Sequence, residues 1–215
     1  MHRPILIVGE AWGAHEAKYR LPFVGPSGRL LNGFLKAAGV DPGKYVNLPD
    51  GETIIDWSAS SEVYCTNVFN LQPRPTNDVV NLCGPRSEGI VGLPAVVPGK
   101  YIRKEYSVEL DRLYREIKSI DPNIIIALGN TAIIALMQAK LPILKNRGNL
   151  FETPLTRPDD SKYKMLATYH PSYILRDNWK DRPIVITDLI KAKRHSHTPV
   201  FVRPSREIWI EPTLA

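Results

Sequence analysis

Four short apolar runs recur along the chain, and none is long enough to span a membrane. Runs of this length that are rich in β-branched residues predict buried strands. Segments with helical periodicity lie between them, and strands that alternate with helices predict a parallel sheet. The predicted strands are ILIVGE (5–10), VYCTNVF (63–69), NIIIALG (123–129) and KMLATY (164–169).

The predicted helices gather apolar residues on one face. Ser27 is the candidate N-cap of the first helix, Gly39 its candidate C-cap, and Asn130 the candidate N-cap of the third. The predicted fold class is therefore α/β, with a central, mostly parallel β-sheet flanked by helices on both faces in three layers. The helices are predicted over 26–39, 107–120, 130–140 and 182–195.

The chain is predicted to form a single domain over residues 1–215, because no repeat or low-complexity segment divides it. Residues 40–61 read as loop. Residues 70–104 are rich in glycine and proline and have no clear period, so they predict a long loop excursion of the functional kind. Residues 198–215 form a predicted C-terminal extension, with a candidate edge strand at 200–212.

Charge and cysteine content narrow the class of partner and cofactor. A net charge of +6 and a pI of about 9.3 favour a polyanionic partner. The basic cluster at 191–197 fits either a solvated helix end or phosphate contact. The two cysteines, Cys65 and Cys83, fit an intracellular protein and are too few for a four-cysteine cluster. The N-terminal segment has no small-residue cleavage site, so no secretory signal is predicted.

Ligands of open parallel sheets bind beyond the carboxyl ends of the strands. Three polar stretches follow the predicted strands there: GEAWGAHE, TNVF and HPS. Neither a G-x-G-x-x-G dinucleotide fingerprint nor a Walker A loop is present.

Four residues at or near these strand ends each allow either a structural or a functional interpretation. Asn67 is either a structural amide bonded to backbone or a reader of a planar polar edge. His170 either ends a strand before Pro171 or touches a ligand. Phe23 is either a core residue or a stacking platform, and Glu10 either a loop acid or a catalytic carboxylate.

The motifs together resemble the uracil-DNA glycosylase superfamily, most closely its family 4 type. The resemblance rests on ILIVGEAWGAHE with LPFVGPSGRLLNGFL, on VYCTNVFNLQP, on IIIALGNTAIIAL, and on TYHPSYILR with the helix that contains TDLIKAK. These segments occur in the family's order and cover about half of the chain. The resemblance implies the family's α/β fold and hydrolysis of the N-glycosidic bond of uracil in DNA.

The resemblance also implies a base-binding pocket. Phe23 matches the ring on which a flipped-out base stacks. Asn67 matches the amide that pairs with uracil N3–H and O4. Glu16 matches a position near the C5 edge, where a side chain excludes the thymine methyl group. Backbone amides near Ala11 complete the implied pocket.

Two residues match the family's catalytic positions. His170 is expected to donate to uracil O2 and stabilise the charge that develops on the departing base. Glu10 is expected to position or activate water and to offset the cationic sugar.

The segment after His170 resembles the family's DNA-entering loop. Tyr173, Ile174 or Leu175 is expected to wedge into the DNA. Ser172 and Arg176 are expected on the DNA-contacting surface, with Arg176 holding a phosphate.

Two departures from family 4 leave the substrate open. Trp12 stands where a proline is usual, and Leu71 stands where a cluster cysteine is usual, while the family's N-terminal cysteine pair would precede the chain's start. We therefore expect no iron–sulfur cluster, no metal and no other cofactor.

We expect a monomer that binds single- or double-stranded uracil-containing DNA. Alternatives are a glycosylase for a modified pyrimidine such as 5-hydroxymethyluracil, a non-catalytic DNA- or base-binding protein, and a nucleoside or nucleotide hydrolase.

Overall fold

A computed structural model of the protein describes residues 3–201 and is built around a five-stranded sheet. Within the described residues the strands are β1 (Ile5–Ala11), β2 (Lys44–Asn47), β3 (Thr53–Asp56), β4 (Val63–Phe69), β5 (Cys83–Gly84), β6 (Tyr101–Ile102), β7 (Ile124–Leu128), β8 (Leu150–Thr156) and β9 (Lys162–Thr168). The strand order in the sheet is β4-β1-β7-β9-β8. The first four of these strands pair in parallel, and β8 pairs antiparallel with β9 at one edge.

Helices cover both faces of this sheet, which confirms the predicted α/β class. The α-helices are α1 (Ala14–Tyr19), α2 (Pro26–Ala37), α3 (Ser107–Ile120), α4 (Gly129–Met137), α5 (Ile143–Asn146), α6 (Pro171–Leu175) and α7 (Arg182–His195). Short 3-10 helices lie at Trp57–Ala59, Val79–Leu82, Arg86–Glu88, Lys104–Tyr106 and Trp179–Asp181.

The central strands are apolar on both faces because both faces are buried. Along β1, Ile5 and Ile7 pack with α2 and α7, whereas Leu6 and Val8 pack with α3 and α4. The same alternation occurs along β7. The two apolar layers hold the sheet between the helices, so the carboxyl ends of β1, β4, β7 and β9 open on one edge.

Two predicted helix caps are wrong. Helix α2 begins at Pro26 with Gly25 as its N-cap, so Ser27 lies inside the first turn. Helix α4 begins at Gly129, and the side-chain oxygen of Asn130 instead accepts from the backbone N–H of Ile143 at 3.0 Å. Both errors arise because a proline at N1 and a glycine with positive φ start these helices without a polar cap.

The loop predictions need three corrections. Residues 40–61 contain the antiparallel hairpin of β2 and β3, and residues 70–104 contain short 3-10 helices and the two-residue pair of β5 and β6. Strand β8 was also missed, because its apolar residues are few and it needs β9 as its partner. The candidate edge strand at 200–212 lies almost wholly outside the described residues. Residues 3–201 contain no helix long and apolar enough to cross a membrane.

Candidate active site

The ends of four parallel strands bring the predicted site residues to one edge of the sheet. Glu10 is the second-last residue of β1, and its neighbour Gly9 is in register with Asn67 on β4. His170 follows β9, and its Cβ lies 3.5 Å from where a Cβ on Gly129 would stand, directly after β7. These residues are far apart in the sequence and meet only because the strands are parallel and adjacent.

Asn67 is buried without a partner for its side-chain amide. The side chain is 2% exposed, and no hydrogen bond to its amide group is formed within residues 3–201. Its backbone carbonyl accepts a hydrogen bond from Arg112 at 2.6 Å. Its amide atoms are nonetheless open to solvent, unlike the enclosed side-chain oxygen of Asn32, so the amide is available to a ligand.

Phe23 and Asn67 meet over Gly9. A Cβ at position 9 would lie 2.3 Å from Asn67 Oδ1 and 2.4 Å from Phe23 Cζ, so only glycine fits there. The Phe23 ring is 3% exposed and its centroid lies 6.1 Å from that of the His170 ring. Phe23 therefore packs as a core residue and also forms the floor of the site.

The backbone of Phe23 is held in an unusual conformation. Its φ of 53° is left-handed, which is costly for a residue with a bulky side chain. The Trp57 indole N–H donates to the Phe23 carbonyl at 3.2 Å, and a Cβ on Gly28 would lie 1.7 Å from that same oxygen. Trp57 and Gly28 thus stabilise the strained loop that presents the ring.

His170 is held as a neutral ring with a defined tautomer. The backbone N–H of Ser172 donates to Nδ1 at 3.1 Å, so the proton of the neutral imidazole lies on Nε2. Burial, together with a smaller effect of the positive charge of Arg176, lowers the pKa of His170 to about 4. At neutral pH the ring therefore offers an Nε2–H donor without carrying a charge.

Glu10 is a partly desolvated carboxyl group. Burial raises its pKa above the ordinary value, a hydrogen bond from the Thr131 hydroxyl opposes that shift, and Asp78 and Arg176 act in opposite directions. Thr131 was missed at the level of sequence, although its place directly after the third predicted strand was a usable signal. The pair gives the site a carboxylate whose orientation is set by α4.

Glu16 joins the two loops on either side of it. Its two carboxylate oxygens accept from the backbone N–H of Gly13 at 3.1 Å and of Gly25 at 2.8 Å. The side chain is therefore bonded on both oxygens, and its effect on the site is to hold the loop that carries Phe23. Ala11, which is half-buried, ends β1 directly after Glu10 and is in register with Phe69 on β4.

The segment after His170 is a short helix, α6, and the structure corrects one prediction there. Ile174 is fully buried in the core, so its assignment to the DNA surface is wrong. Leu175, at 39% exposed, is the apolar residue of this loop that reaches solvent. Tyr173 packs its ring 4.8 Å from that of Tyr169 and donates its hydroxyl to Asp181.

Ser172 and Arg176 are connected to His170. The Ser172 hydroxyl lies 2.8 Å from His170 Nδ1, and an Arg176 Nη atom donates to that hydroxyl at 3.3 Å. Since Nδ1 carries no proton, Ser172 donates to it. Ser172 therefore supports the imidazole rather than presenting a free hydroxyl, while Arg176 stays exposed.

A network around Arg112 on α3 supports the end of β4. The guanidinium donates to the carbonyls of Asn67 and Val68 at 2.6 and 3.0 Å. It also pairs with Glu109 at 3.0 Å and with Glu116 at 2.7 Å. No periodicity in the sequence indicated this role, because the partners belong to a strand about 45 residues away.

The residues at hand do not fit a four-cysteine iron–sulfur cluster. Cys65 and Cys83 are both buried, but they pack in the apolar layers on opposite faces of the sheet. Leu71 packs against the same layer as Cys83. Among residues 3–201, no group of three or more His, Cys, Asp or Glu side chains is arranged to hold a metal ion.

An open cleft of about 510 Å³ lies beside the segments that follow β1 and β4. Two of its lining residues, Lys18 and Arg74, are cationic, and none is acidic. The full lining is Ala14, Ala17, Lys18, Gln72, Arg74 and Pro75.

Fold and site together define an α/β protein with a buried amide, a neutral imidazole and a desolvated carboxyl group at the carboxyl ends of its central strands. Residues 2–195 match the family model described as the uracil DNA glycosylase superfamily. The chain belongs to that superfamily.

Curated relatives agree with this assignment. The chain is 30% identical over 197 residues to the type-4 uracil-DNA glycosylase of Thermotoga maritima, covering 88% of this chain and 76% of the relative. It is 27% identical over 179 residues to the type-4 uracil-DNA glycosylase of Archaeoglobus fulgidus, covering 80% of this chain and 66% of the relative.

Proposed function

We propose that the protein is a uracil-DNA glycosylase, an enzyme that hydrolyses the N-glycosidic bond of uracil in DNA and leaves an abasic site for base excision repair. The observation that carries this proposal is the unpartnered side-chain amide of Asn67, which meets the Phe23 ring over Gly9. The Phe23 ring lies 6.1 Å from the His170 ring, and Glu10 follows Gly9 on the adjoining strand. The names of the type-4 relatives support it. The enzyme is proposed to act as a monomer inside the cell, on single- or double-stranded DNA.

Asn67 is proposed to select uracil by its hydrogen-bonding edge. An amide can accept from N3–H with its oxygen and donate to O4 with its nitrogen. Cytosine has the opposite pattern at these two positions, so it would leave the buried amide unpaired at a cost. Because Asn67 lies on the floor, a base has to leave the duplex stack, or be unstacked already, before it is read.

His170 and Glu10 are proposed to act on the two products of bond breaking. The Nε2–H of neutral His170 donates to O2, where negative charge grows as the base departs. The Glu10 carboxylate faces the sugar side, where it offsets the developing positive charge and positions the attacking water. Each acts at the place where charge appears, so the site favours the transition state over the bound substrate.

Leu175 and Arg176 are proposed to contact the DNA. Leu175 is the exposed apolar residue of α6 and suits a wedge, and the exposed Arg176 suits a phosphate. Ser172 and Tyr173 contribute by holding α6 through the bonds to His170 and Asp181.

The direct test is incubation with single-stranded DNA that contains one uracil, followed by alkali cleavage at abasic sites. We expect cleavage at the uracil only, and none with the cytosine- or thymine-containing control strand. A protein that binds the strand but leaves it alkali-resistant would be the non-catalytic alternative. A protein that ignores DNA and cleaves free nucleosides would be the small-molecule hydrolase.

One observation favours a second candidate, a glycosylase for a modified pyrimidine such as 5-hydroxymethyluracil. The indole N–H of Trp12 is buried and has no hydrogen-bond partner within residues 3–201, directly after Ala11. A polar group on C5 of the base would give that donor an acceptor. Comparing excision of uracil and 5-hydroxymethyluracil by the wild type and Trp12→Phe decides between them, since only the second candidate predicts a selective loss on the modified base.

The pH dependence of the reaction should follow Glu10. Glu10 is proposed to act in its ionised form, and burial raises the pKa of its carboxyl group above the ordinary value of 4.5. The single-turnover rate should therefore rise as the pH passes through this raised pKa, and then level off. His170, with a pKa of about 4, is mostly neutral above about pH 5. We expect Glu10→Gln to remove the rise above that pH as well as most of the rate, measured from about pH 5 to about pH 8. An unchanged rise in Glu10→Gln would assign it to another group.

Arg112→Lys should lower the excision rate about tenfold, because a lysine cannot bridge the two carbonyls and two carboxylates that orient the end of β4. In an Asn67→Ala background the same change should have no further effect on the rate, since there is no amide left to orient. Single-turnover rates and melting temperatures of both backgrounds check this.

The control for Arg112 is Arg157→Lys. Arg157 is buried, pairs with Asp121 and donates to the Pro122 carbonyl, at the amino ends of the strands. The Arg157→Lys substitution should lower the melting temperature and leave the excision rate unchanged. If Arg112→Lys and Arg157→Lys lowered the excision rate equally, Arg112 would stabilise the fold without orienting Asn67.

A further inference from the structure

The residues just after α6 form a surface that the proposed chemistry leaves unused. Trp179 is 49% exposed, which is unusual for so large an apolar ring. It borders an open cleft of about 400 Å³ on the surface of the protein. The cleft is lined by Trp179, Lys180, Arg182, Pro183, Ile186 and Thr187.

Trp179 is held at a defined position relative to the loop of His170. The Asn178 side chain donates to the carbonyls of Tyr173 and Arg176, both at 2.9 Å. The Tyr173 hydroxyl donates to Asp181 at 2.9 Å from the other side of the tryptophan. These hydrogen bonds join α6 to the short helix Trp179–Asp181. The exposed Trp179 ring is therefore fixed relative to α6, which carries the exposed Leu175.

The cleft combines an aromatic face with cations. The Arg182 guanidinium lies 4.8 Å from the centroid of the Trp179 ring, and Lys180 lines the same cleft. No carboxylate lines it. Asp181 of the same segment is engaged by Tyr173, and Asp177 is exposed on the loop before it. Sites that bind single-stranded nucleic acid usually combine aromatic rings, on which bases stack, with cationic side chains that contact the phosphates.

We propose that Trp179 and Arg182 form a second DNA-binding site, in which an unpaired base next to the target nucleotide stacks on the Trp179 ring and its phosphate contacts Arg182 and Lys180. The inference rests on the proposed action on DNA and adds a place where the flanking strand is held. It accounts for a basic, apolar cleft with an exposed tryptophan on the segment that follows the base-contacting loop. A second copy of the chain is the competing occupant, and the test distinguishes it.

The test measures the affinity of full-length protein for a fluorescent, uracil-free single-stranded oligonucleotide. Trp179→Ala should weaken binding about 5- to 150-fold, the usual range for loss of one base–aromatic stack, while Trp179→Phe should retain most of it. Tyr45→Ala, which removes another exposed aromatic ring on β2, should bind as the wild type does. The single-turnover excision rate of Trp179→Ala should fall at subsaturating enzyme and approach the wild-type rate as the enzyme concentration is raised, because the ring binds the strand and contacts no reacting atom.

A folded Trp179→Ala protein with wild-type affinity would overturn the second site. So would a Trp179→Ala protein that sediments as a monomer when the wild type is a dimer, since the ring would then be a contact between copies. The outcome is separable from that of the glycosylase proposal. A wild type that binds single strands through Trp179 but leaves uracil in place refutes only the glycosylase. A wild type that excises uracil, with a Trp179→Ala variant that binds the uracil-free strand as tightly, refutes only this site.

Discussion

We expect His170→Ala to lower the single-turnover rate of uracil excision by a factor of roughly 100 to 1,000 at saturating enzyme. The affinity for uracil-containing DNA should change little. The reason is that the Nε2–H donor strengthens its bond only as negative charge grows on O2, so its loss is felt in the transition state and hardly in the bound substrate. Single-turnover rates and equilibrium binding of the two proteins check both halves of this expectation.

A loss of stability has to be separated from a loss of chemistry in this variant. The His170 ring also caps α6, since Nδ1 accepts from the Ser172 N–H. Losing such a cap costs about 0.5–2 kcal/mol of stability, which a melting curve shows directly. His195→Ala, which removes a half-buried histidine near the end of α7, is the matched control and should retain the full rate. A folded His170→Ala protein with an unchanged rate would leave the proposed mechanism without its electrophile.

The second large effect is expected for Asn67→Ala. Removing the amide takes away both hydrogen bonds to the base edge, which costs roughly 1–3 kcal/mol by analogy with bidentate base readout, or a factor of about 5 to 150 in the rate on uracil. Affinity for uracil-free DNA should stay the same, because Asn67 is 2% exposed and only a base that has left the stack can reach its amide. Excision rates and binding to uracil-free strands measure the two quantities separately.

The control for Asn67→Ala is Asn32→Ala. Asn32 on α2 is also buried, and its side-chain oxygen has no hydrogen-bond partner within residues 3–201. It lies in a helix and not at a strand end, so its loss should affect melting and leave the rate unchanged. If Asn67→Ala weakened binding to uracil-free DNA as strongly as it slowed excision, Asn67 would be a structural residue after all.

The residues that orient the proposed site differ from those that are proposed to act on the substrate. Thr131, Ser172 and Arg112 each bond to a residue proposed to touch the base or the sugar, and none of them is proposed to touch the substrate itself. Their variants should therefore have smaller effects than His170→Ala and Asn67→Ala. This order of effects is itself a check on the assignment, because a site that only binds DNA would show no such gradation in rate.

The sequence by itself determined the class of fold and the edge at which the site lies. Apolar, β-branched runs such as those of β1 and β7 are buried on both faces wherever they occur, so their strands and the parallel sheet follow from local pattern. Since parallel strands end together, Glu10, Asn67 and His170 were expected at one edge before any contact was known. The family resemblance supplied the proposed roles of these residues, and the match to the superfamily model confirms the family itself.

Only the tertiary structure decided the state and surroundings of those residues. The tautomer and low pKa of His170 depend on a bond from Ser172 and on burial among other elements. The orientation of Glu10 depends on Thr131, 121 residues away. Whether Ile174 or Leu175 meets the solvent depends on which face of α6 packs on the core. Periodicity reports a residue's own strand or helix, whereas hydrogen bonding, burial and charge are set by partners that are distant in the sequence and adjacent only after folding.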